Sequence, residues 1–277
     1  MRIQNTNFNI EQIAESGQCF RMNRLNSQDN TIKYSLIAYG RYLELSQIDG
    51  RTVELSCSEE EYREIWEEYF DMNYNYSLIV GSLINSEDKF LREAAEYGYG
   101  IRILKQEPFE AMISFIISQN KNIPAIKNCI EDICERYGNR IEIEGKLIGY
   151  SFPTPQALAM ASKEDLRSLK TGYRDEYIIR ASHAVDRKEI NLEQLKESSF
   201  EKAVMELKKI HGIGEKVANC IALYGLHHIE GFPVDVWILR VIQEIYQNDF
   251  DKNRFKGYAG IVQQYMFYYM RFLKGVK

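Results

Sequence analysis

Apolar and polar residues alternate through 32–38, 41–47 and 52–57 (IKYSLIA, RYLELSQ and TVELSC), and β-branched and aromatic residues are common in all three. Period-two alternation is the mark of strands that bury one face. Tyr39-Gly40 and Asp49-Gly50 supply turn residues between the segments, so the pattern predicts an antiparallel meander. At Ser58 the period changes. Ser58 and Glu61 form a capping-box signature, and Tyr62, Ile65, Trp66 and Tyr69 recur at helical spacing as far as Phe70. Beyond this point strand patterning almost vanishes. Helical spacing recurs through 77–97, 108–119, 123–136, 155–161, 163–169, 175–187, 193–209, 215–225, 236–247 and 257–274. No low-complexity linker or internal repeat interrupts the chain. The expected class is α+β, with a small N-terminal antiparallel sheet domain over residues 1–100 packed directly on a mainly α-helical body over 101–277.

Composition narrows what such a body can do. The chain has 277 residues, 45% hydrophobic and 27% charged, enough for one large domain or two smaller ones with true cores. Its net charge is −5, from 35 Lys and Arg against 40 Asp and Glu. That balance argues against a nucleic-acid partner gripped by a wholly basic surface. DNA binding here needs a local footprint of backbone amides and a few cations, with a modest salt dependence. Five cysteines, Cys19, Cys57, Cys129, Cys134 and Cys220, are an odd number with no CxxC pair. They fit free thiols in a reducing compartment and exclude a four-cysteine cluster. His227-His228 fits a turn better than a metal site. The polar N-terminus and the absence of any run near ~20 apolar residues predict a soluble, cytoplasmic protein with no membrane contact. No cofactor or metal is expected.

The candidate chemistry gathers in 207–235, LKKIHGIGEKVANCIALYGLHHIEGFPVD. Phe200, Ala203, Val204 and Leu207 repeat at helical spacing before a glycine bend, and Val217, Cys220, Ile221 and Tyr224 repeat after it. Gly212 and Gly214 flank Ile213, and glycine reaches positive φ without steric cost. The pattern reads as helix, hairpin, helix. Unsatisfied backbone N–H groups at such a bend suit a phosphate. Lys216 falls in the first turn of the second helix, with Cys220 four residues on along the same face and Asp235 in a Pro-Val-Asp beyond it. Singly, each residue has a plain explanation: a solvated lysine, or an aspartate capping the helix near Val236. A phosphate-loop reading fails, because no Gly-Lys-Ser/Thr ending and no preceding strand are present. The joint pattern is far more specific than its parts.

This stretch closely resembles the helix-hairpin-helix DNA glycosylase superfamily, in which the lysine marks the bifunctional members that excise a base and then nick the strand. ESGQCFR (15–21) looks like the Ser-Gly-Gln-x-Phe-Arg segment of the 8-oxoguanine DNA glycosylases. SFIISQNKNI (114–123), GYRDEYI (172–178) and YAGIVQQYMF (258–267) match that family in the same order. The resemblance covers nearly the whole chain and, with the compact length, implies a member of prokaryotic type. The implied activity is excision of 8-oxoguanine from damaged duplex DNA by a monomer.

Site roles follow from that resemblance. Lys216 would attack the sugar and leave an imine, its neutral form favoured by burial and by its own helix N-terminus. Asp235 would stabilise positive charge on the sugar. Cys220, if a thiolate, would form a lesion-sensing dipole with Lys216, and the sequence leaves the protonation of the pair open. The backbone of Gly17 would present a carbonyl to the hydrogen that 8-oxoguanine carries on N7. Gln263 would read the Watson–Crick edge, and Phe267 would stack on the extruded base opposite Cys220. Tyr173 would wedge into the duplex, Arg174 and Asn120 would satisfy the orphaned cytosine, and Gly212, Gly214 and Val217 would give N–H groups to phosphate. Two positions depart from eukaryotic members: Ala125 replaces a second cytosine-reading arginine, and Trp237 replaces a phosphate-contacting histidine. The alternatives are a glycosylase for another oxidised base, and a non-catalytic helix-hairpin-helix protein, which would have no use for this lysine and aspartate.

Overall fold

The computed structural model describes residues 1–27 and 31–276. Its N-terminal part holds β1 (Arg2–Gln4), α1 (Ile10–Glu15), β2 (Met22–Leu25), β3 (Ile32–Ala38), β4 (Arg41–Gln47) and β5 (Thr52–Leu55). They form a five-stranded antiparallel sheet in the order β1-β5-β4-β3-β2. The meander is its centre. Tyr39 and Gly40 have φ of 52° and 67°, the paired positive values of a tight turn whose twist matches that of the strands. The Asp49 carboxylate accepts from the N–H groups of Arg51 and Thr52, both at 2.8 Å, and closes the second turn. Strands β1 and β2 escaped the pattern because they are too short for alternation to show.

Inward positions of the meander (Tyr34, Leu36, Leu43, Leu45, Val53, Leu55) are buried against Ile10 and Ile13 of α1 and against Trp66 and Phe70. Ser58 caps the following helix by accepting from the Glu61 N–H at 3.0 Å, but the Glu61 carboxylate turns away to Trp66 Nε1, so only half of the capping box forms.

The helical body contains α2 (Tyr76–Ile84), α3 (Lys89–Tyr97), α4 (Pro108–Ser118), α5 (Ile123–Tyr137), α6 (Asp175–Asp186), α7 (Phe200–Leu207), α8 (Glu215–Tyr224), α9 (Val236–Arg240) and α10 (Ala259–Leu273), besides shorter helices. Two runs expected as single helices are broken by internal caps. Asp88 accepts from Leu91 N–H at 3.1 Å and starts α3, and Ser199 accepts from Lys202 N–H at 3.3 Å and starts α7. Where no strand was expected, β6 (Arg140–Ile143) and β7 (Lys146–Tyr150) pair as a hairpin. Their side chains are mostly exposed, so no buried face imposes alternation on the sequence.

The sheet core and the helical core interlock. Phe20 lies in the helical core and Leu104 in the sheet core. Buried Arg102 donates to the carbonyls of Phe70 (2.9 Å), Asn7 (3.0 Å) and Asp71. The Gln18 amide accepts from Leu104 N–H and donates to Arg102 O, both at 2.8 Å, and Gln106 Nε2 donates to Gln18 O at 2.8 Å. These fully satisfied polar groups seat the Ser16–Phe20 loop on residues 102–106.

Candidate active site

The glycine bend between α7 and α8 has two different glycines. Gly212 has φ +96°, and a Cβ there would stand 2.2 Å from Tyr177 Cγ, so backbone and neighbour both demand glycine. Its carbonyl accepts from Gln119 Nε2 at 3.2 Å, which fastens the bend to the end of α4. Gly214 needs no special φ and has open space where a Cβ would be. It is the N-cap of α8 and offers no side chain to that end, so the first-turn N–H groups of Glu215, Lys216 and Val217 have no capping partner among the described residues. Bare amides beside open space are what a phosphate oxygen approaches.

A cavity of about 1010 Å³ opens next to this helix end and is lined by Gly17, Asn120, Gly214, Lys216, Val217, Cys220, Asp235, Gln263 and Phe267 among others. Nine of the residues singled out from the sequence therefore meet, although they span residues 17 to 267. Asp235 keeps its plain role as well: one carboxylate oxygen caps α9, accepting from Trp237 N–H at 3.0 Å and Ile238 N–H at 2.9 Å. Burial raises the pKa of Asp235, against the pull of these N–H groups and of the nearby Lys216 charge. One expectation fails here. Lys216 is exposed at the cavity mouth rather than buried, since it sits in the first turn and the rest of α8 turns into the core. Cys220 is buried and its thiol is pushed up to about 11 by desolvation, with Lys216 pulling the other way, so at neutral pH it is no thiolate.

The far wall comes from the Ser16–Phe20 loop and α10. Gly17 has φ +76°, and a Cβ there would stand 3.2 Å from the Phe267 ring. Gln263 is buried, its amide donating to Pro233 O at 3.1 Å and accepting from the Tyr224 hydroxyl at 3.3 Å. Tyr173, Arg174 and Gly212 stand outside the cavity lining. Exposed Tyr173 receives a hydrogen bond from Asn120 Nδ2 at 3.2 Å, and the Arg174 guanidinium lies 4.4 Å from the Tyr173 ring centroid. Arg174 itself is buried, donating to Thr171 O at 3.1 Å and to Gln119 O, while its Nε has no partner.

Comparison with known proteins identifies the family. Residues 1–112 match the family described as 8-oxoguanine DNA glycosylase, N-terminal domain, and residues 113–256 match the HhH-GPD superfamily of base excision DNA repair proteins. The N-glycosylase/DNA lyase of Saccharomyces cerevisiae is 30% identical over 267 residues, covering 89% of this chain and 70% of the yeast protein. The chain belongs to the 8-oxoguanine DNA glycosylase family. A probable N-glycosylase/DNA lyase of Methanothermobacter thermautotrophicus is 30% identical over 238 residues, with 76% of this chain and 75% of that protein covered. Among solved structures, the 8-oxoguanine glycosylase/lyase of Clostridium acetobutylicum, bound to DNA with cytosine opposite 8-oxoguanine, superposes with TM-score 0.88. It is 35% identical, and the match covers 97% of this chain and 93% of that one.

The glycosylase site also contains residues that the sequence reading passed over. Tyr224 lies one turn beyond Cys220 and donates its hydroxyl toward both Gln263 and Gln264. Gln264 lies within the Gln263–Phe267 turn of α10, and Arg271, one turn beyond Phe267, lines the cavity. A signal was present in each case, since all three sit at helical spacing from a residue already chosen. Gln119, beside Asn120, is a further contributor whose two bonds, to Ile116 O and Gly212 O, no pattern foretells.

Proposed function

We propose that this bifunctional glycosylase/lyase excises 8-oxoguanine from duplex DNA with Lys216 as nucleophile and Asp235 as the charge that steadies the sugar. The observation that carries the reading is the single cavity shared by an amine, a carboxylate, a glycine backbone, an amide and an aromatic ring. The lysine and aspartate are what a non-catalytic hairpin protein lacks a use for. An amine attacks only when neutral. Lys216 is exposed before DNA binds, so duplex docking over the cavity mouth supplies the desolvation that the protein alone does not. Its Nζ forms a bond to C1′ as the glycosidic bond breaks and the base leaves with the electron pair. Loss of one nitrogen proton and opening of the C1′–O4′ bond, with a proton taken up by O4′, give the protonated imine. Removal of a C2′ proton, whose bonding electrons the imine accepts, then expels the 3′ phosphate with the C3′–O electron pair and nicks the strand. Asp235, held by its two capping bonds, faces the cationic sugar without having to reorient.

In the same reading the Gly17 carbonyl accepts from the lesion N7–H and repels the bare N7 of guanine, Gln263 reads the opposite edge of the base, and Phe267 and Cys220 sandwich it. Gly212, Gly214 and Val217 hold phosphate through backbone N–H groups. Tyr173, Asn120 and Arg174 form the wedge and the cytosine reader, adjoining one another through the contacts described above. Residues 1–100 contribute the lesion wall and 101–277 the hairpin and catalytic pair. Since one chain supplies every group, the enzyme acts as a monomer. Free thiols at all five cysteines suit the reducing cytoplasm. The test is borohydride trapping on duplexes carrying single defined lesions. Lys216→Gln retains lesion binding but loses the trapped adduct and excision. A trapped adduct with that variant shows another amine to be the nucleophile and overturns the assignment.

A further inference from the structure

The Ser16–Phe20 loop is held carbonyl by carbonyl. Arg271 Nη1 donates to Glu15 O at 3.0 Å, Gln264 Nε2 donates to Ser16 O, and Gln106 Nε2 donates to Gln18 O at 2.8 Å. Among the described residues no donor reaches the carbonyl between them, that of Gly17. Two of the three donors lie on α10, the helix that also carries Phe267, and both are buried. The Arg271 guanidinium stands 5.4 Å from the Phe267 ring centroid while the same ring packs on Gly17. Gln264 is itself held, because its amide oxygen accepts from the buried Tyr224 hydroxyl.

We infer that Arg271 and Gln264 are positioning residues for lesion recognition: they fix the two peptides before Gly17 so that its carbonyl is the one left for the base, and they lock that carbonyl to the Phe267 ring. The inference rests on the reading of Gly17 given above. A peptide carbonyl aimed by its neighbours discriminates because it does not turn away when guanine, with no hydrogen on N7, is presented. A loosened loop yields to guanine and holds the lesion less well. Arg271 suits the task because its planar fork bonds a carbonyl in a fixed plane while its face backs an aromatic ring. Among the described residues neither side chain is hydrogen-bonded to Lys216 or Asp235, although the Arg271 charge favours the Asp235 anion. Cleavage at a site that already lacks its base should therefore depend on the clamp much less than base selection does.

That separation supplies the test. Arg271→Met and Gln264→Met are compared with the wild type in single-turnover excision of 8-oxoguanine and in nicking of a preformed abasic site. Relative affinity for 8-oxoguanine and guanine duplexes is measured in a Lys216→Gln background. Excision and the affinity ratio fall about tenfold or more for Arg271→Met, nicking stays within about threefold, and Arg271→Lys recovers part of the loss. If excision and nicking fall together, the residues only support the fold and the inference is overturned. An unchanged affinity ratio in both Met variants overturns it too. A duplex carrying an 8-oxoguanine analogue with carbon in place of N7 separates the two levels of the argument. Equal wild-type affinity for analogue and lesion defeats the Gly17 reading itself, whereas rejection of the analogue with an unchanged ratio in the variants defeats the clamp alone.

Discussion

Reading of the base opposite the lesion should be weak in this enzyme, and the structure says by how much. An unpaired cytosine offers acceptors at O2 and N3, for which forked arginine donors are the best match. Ala125, in the first turn of α5, contributes no donor from its side chain. Arg174 is already committed to Thr171 O at 3.1 Å and to Gln119 O. A hydrogen bond to a charged donor contributes about 1.5–3 kcal/mol, and a good base contact discriminates by about 1–3 kcal/mol. Turning Arg174 toward cytosine therefore exchanges one set of bonds for another of similar worth. Only the unpartnered Arg174 Nε adds a new donor, since the Asn120 amide nitrogen already donates to the Tyr173 hydroxyl. The net preference for cytosine is then below about 1.4 kcal/mol, less than roughly tenfold. Ala125→Arg supplies an uncommitted fork and adds about 1–3 kcal/mol, a gain of roughly five- to 150-fold. The assay is single-turnover excision from duplexes that differ only in the base opposite 8-oxoguanine. A wild-type preference for cytosine above about a hundredfold would falsify this accounting, and so would an Ala125→Arg variant without added selectivity.

Four further perturbations separate the roles of individual residues. Gly212→Ala forces a Cβ to 2.2 Å from Tyr177 Cγ at φ +96°, so chemical denaturation should show a loss of at least about 1–2 kcal/mol from the backbone alone. Gly214→Ala meets nothing within 4 Å, so stability should change by less than about 1 kcal/mol while affinity for undamaged duplex falls; unchanged affinity would remove Gly214 from the phosphate site. Asp235→Asn should slow excision by about 10²–10³-fold and abolish the acid limb of the pH–rate profile. That limb follows from burial holding the carboxyl above its ordinary value: activity needs the anion, so the wild type loses rate as pH falls through the raised pKa. Glu110 is buried 4.0 Å from Arg21 and is pushed up to about 8, chiefly by desolvation. The folded state then binds the proton more tightly than the unfolded state between their two pKa values, so stability is fullest below about pH 4.5 for this group and declines as pH rises toward 8. Glu110→Gln should flatten that decline, by up to a few kcal/mol between pH 5 and 8 in thermal or urea unfolding. An identical pH slope in both proteins would show Glu110 ionised throughout.

Much of this arrangement was legible in the sequence where a residue's role is set by local spacing. Gly212, Gly214, Lys216, Cys220 and Asp235 lie within one helix-hairpin-helix and its exit, and all but Gly212 line the cavity. The meander was legible because its three strands bury one face each. What the sequence concealed depends on partners remote in the chain. The orientation of Arg174 follows from carbonyls at Thr171 and Gln119, and the exposure of Lys216 follows from how α8 enters the core. The thiol state of Cys220 is a matter of burial that no spacing reports. Strands β1 and β2, three and four residues long, carry too few positions for a period to emerge. The hairpin of β6 and β7 has no fully buried residue to impose alternation.

The bond from Gln264 to Ser16 joins residues 248 apart, and the one from Arg271 to Glu15 joins residues 256 apart. During synthesis the chain grows from its N-terminus, so Gly17, the proposed lesion contact, waits for nearly all of these 277 residues before its wall exists. The hairpin, Lys216 and Asp235 all leave the ribosome earlier. A chain made only as far as Asp235 has the proposed amine, carboxylate and phosphate-binding bend but not yet α10, and it gains the proposed lesion wall only with that helix. Closing so long a loop carries an entropic cost that local contacts do not. The reward is that selectivity and completeness of the fold arrive together.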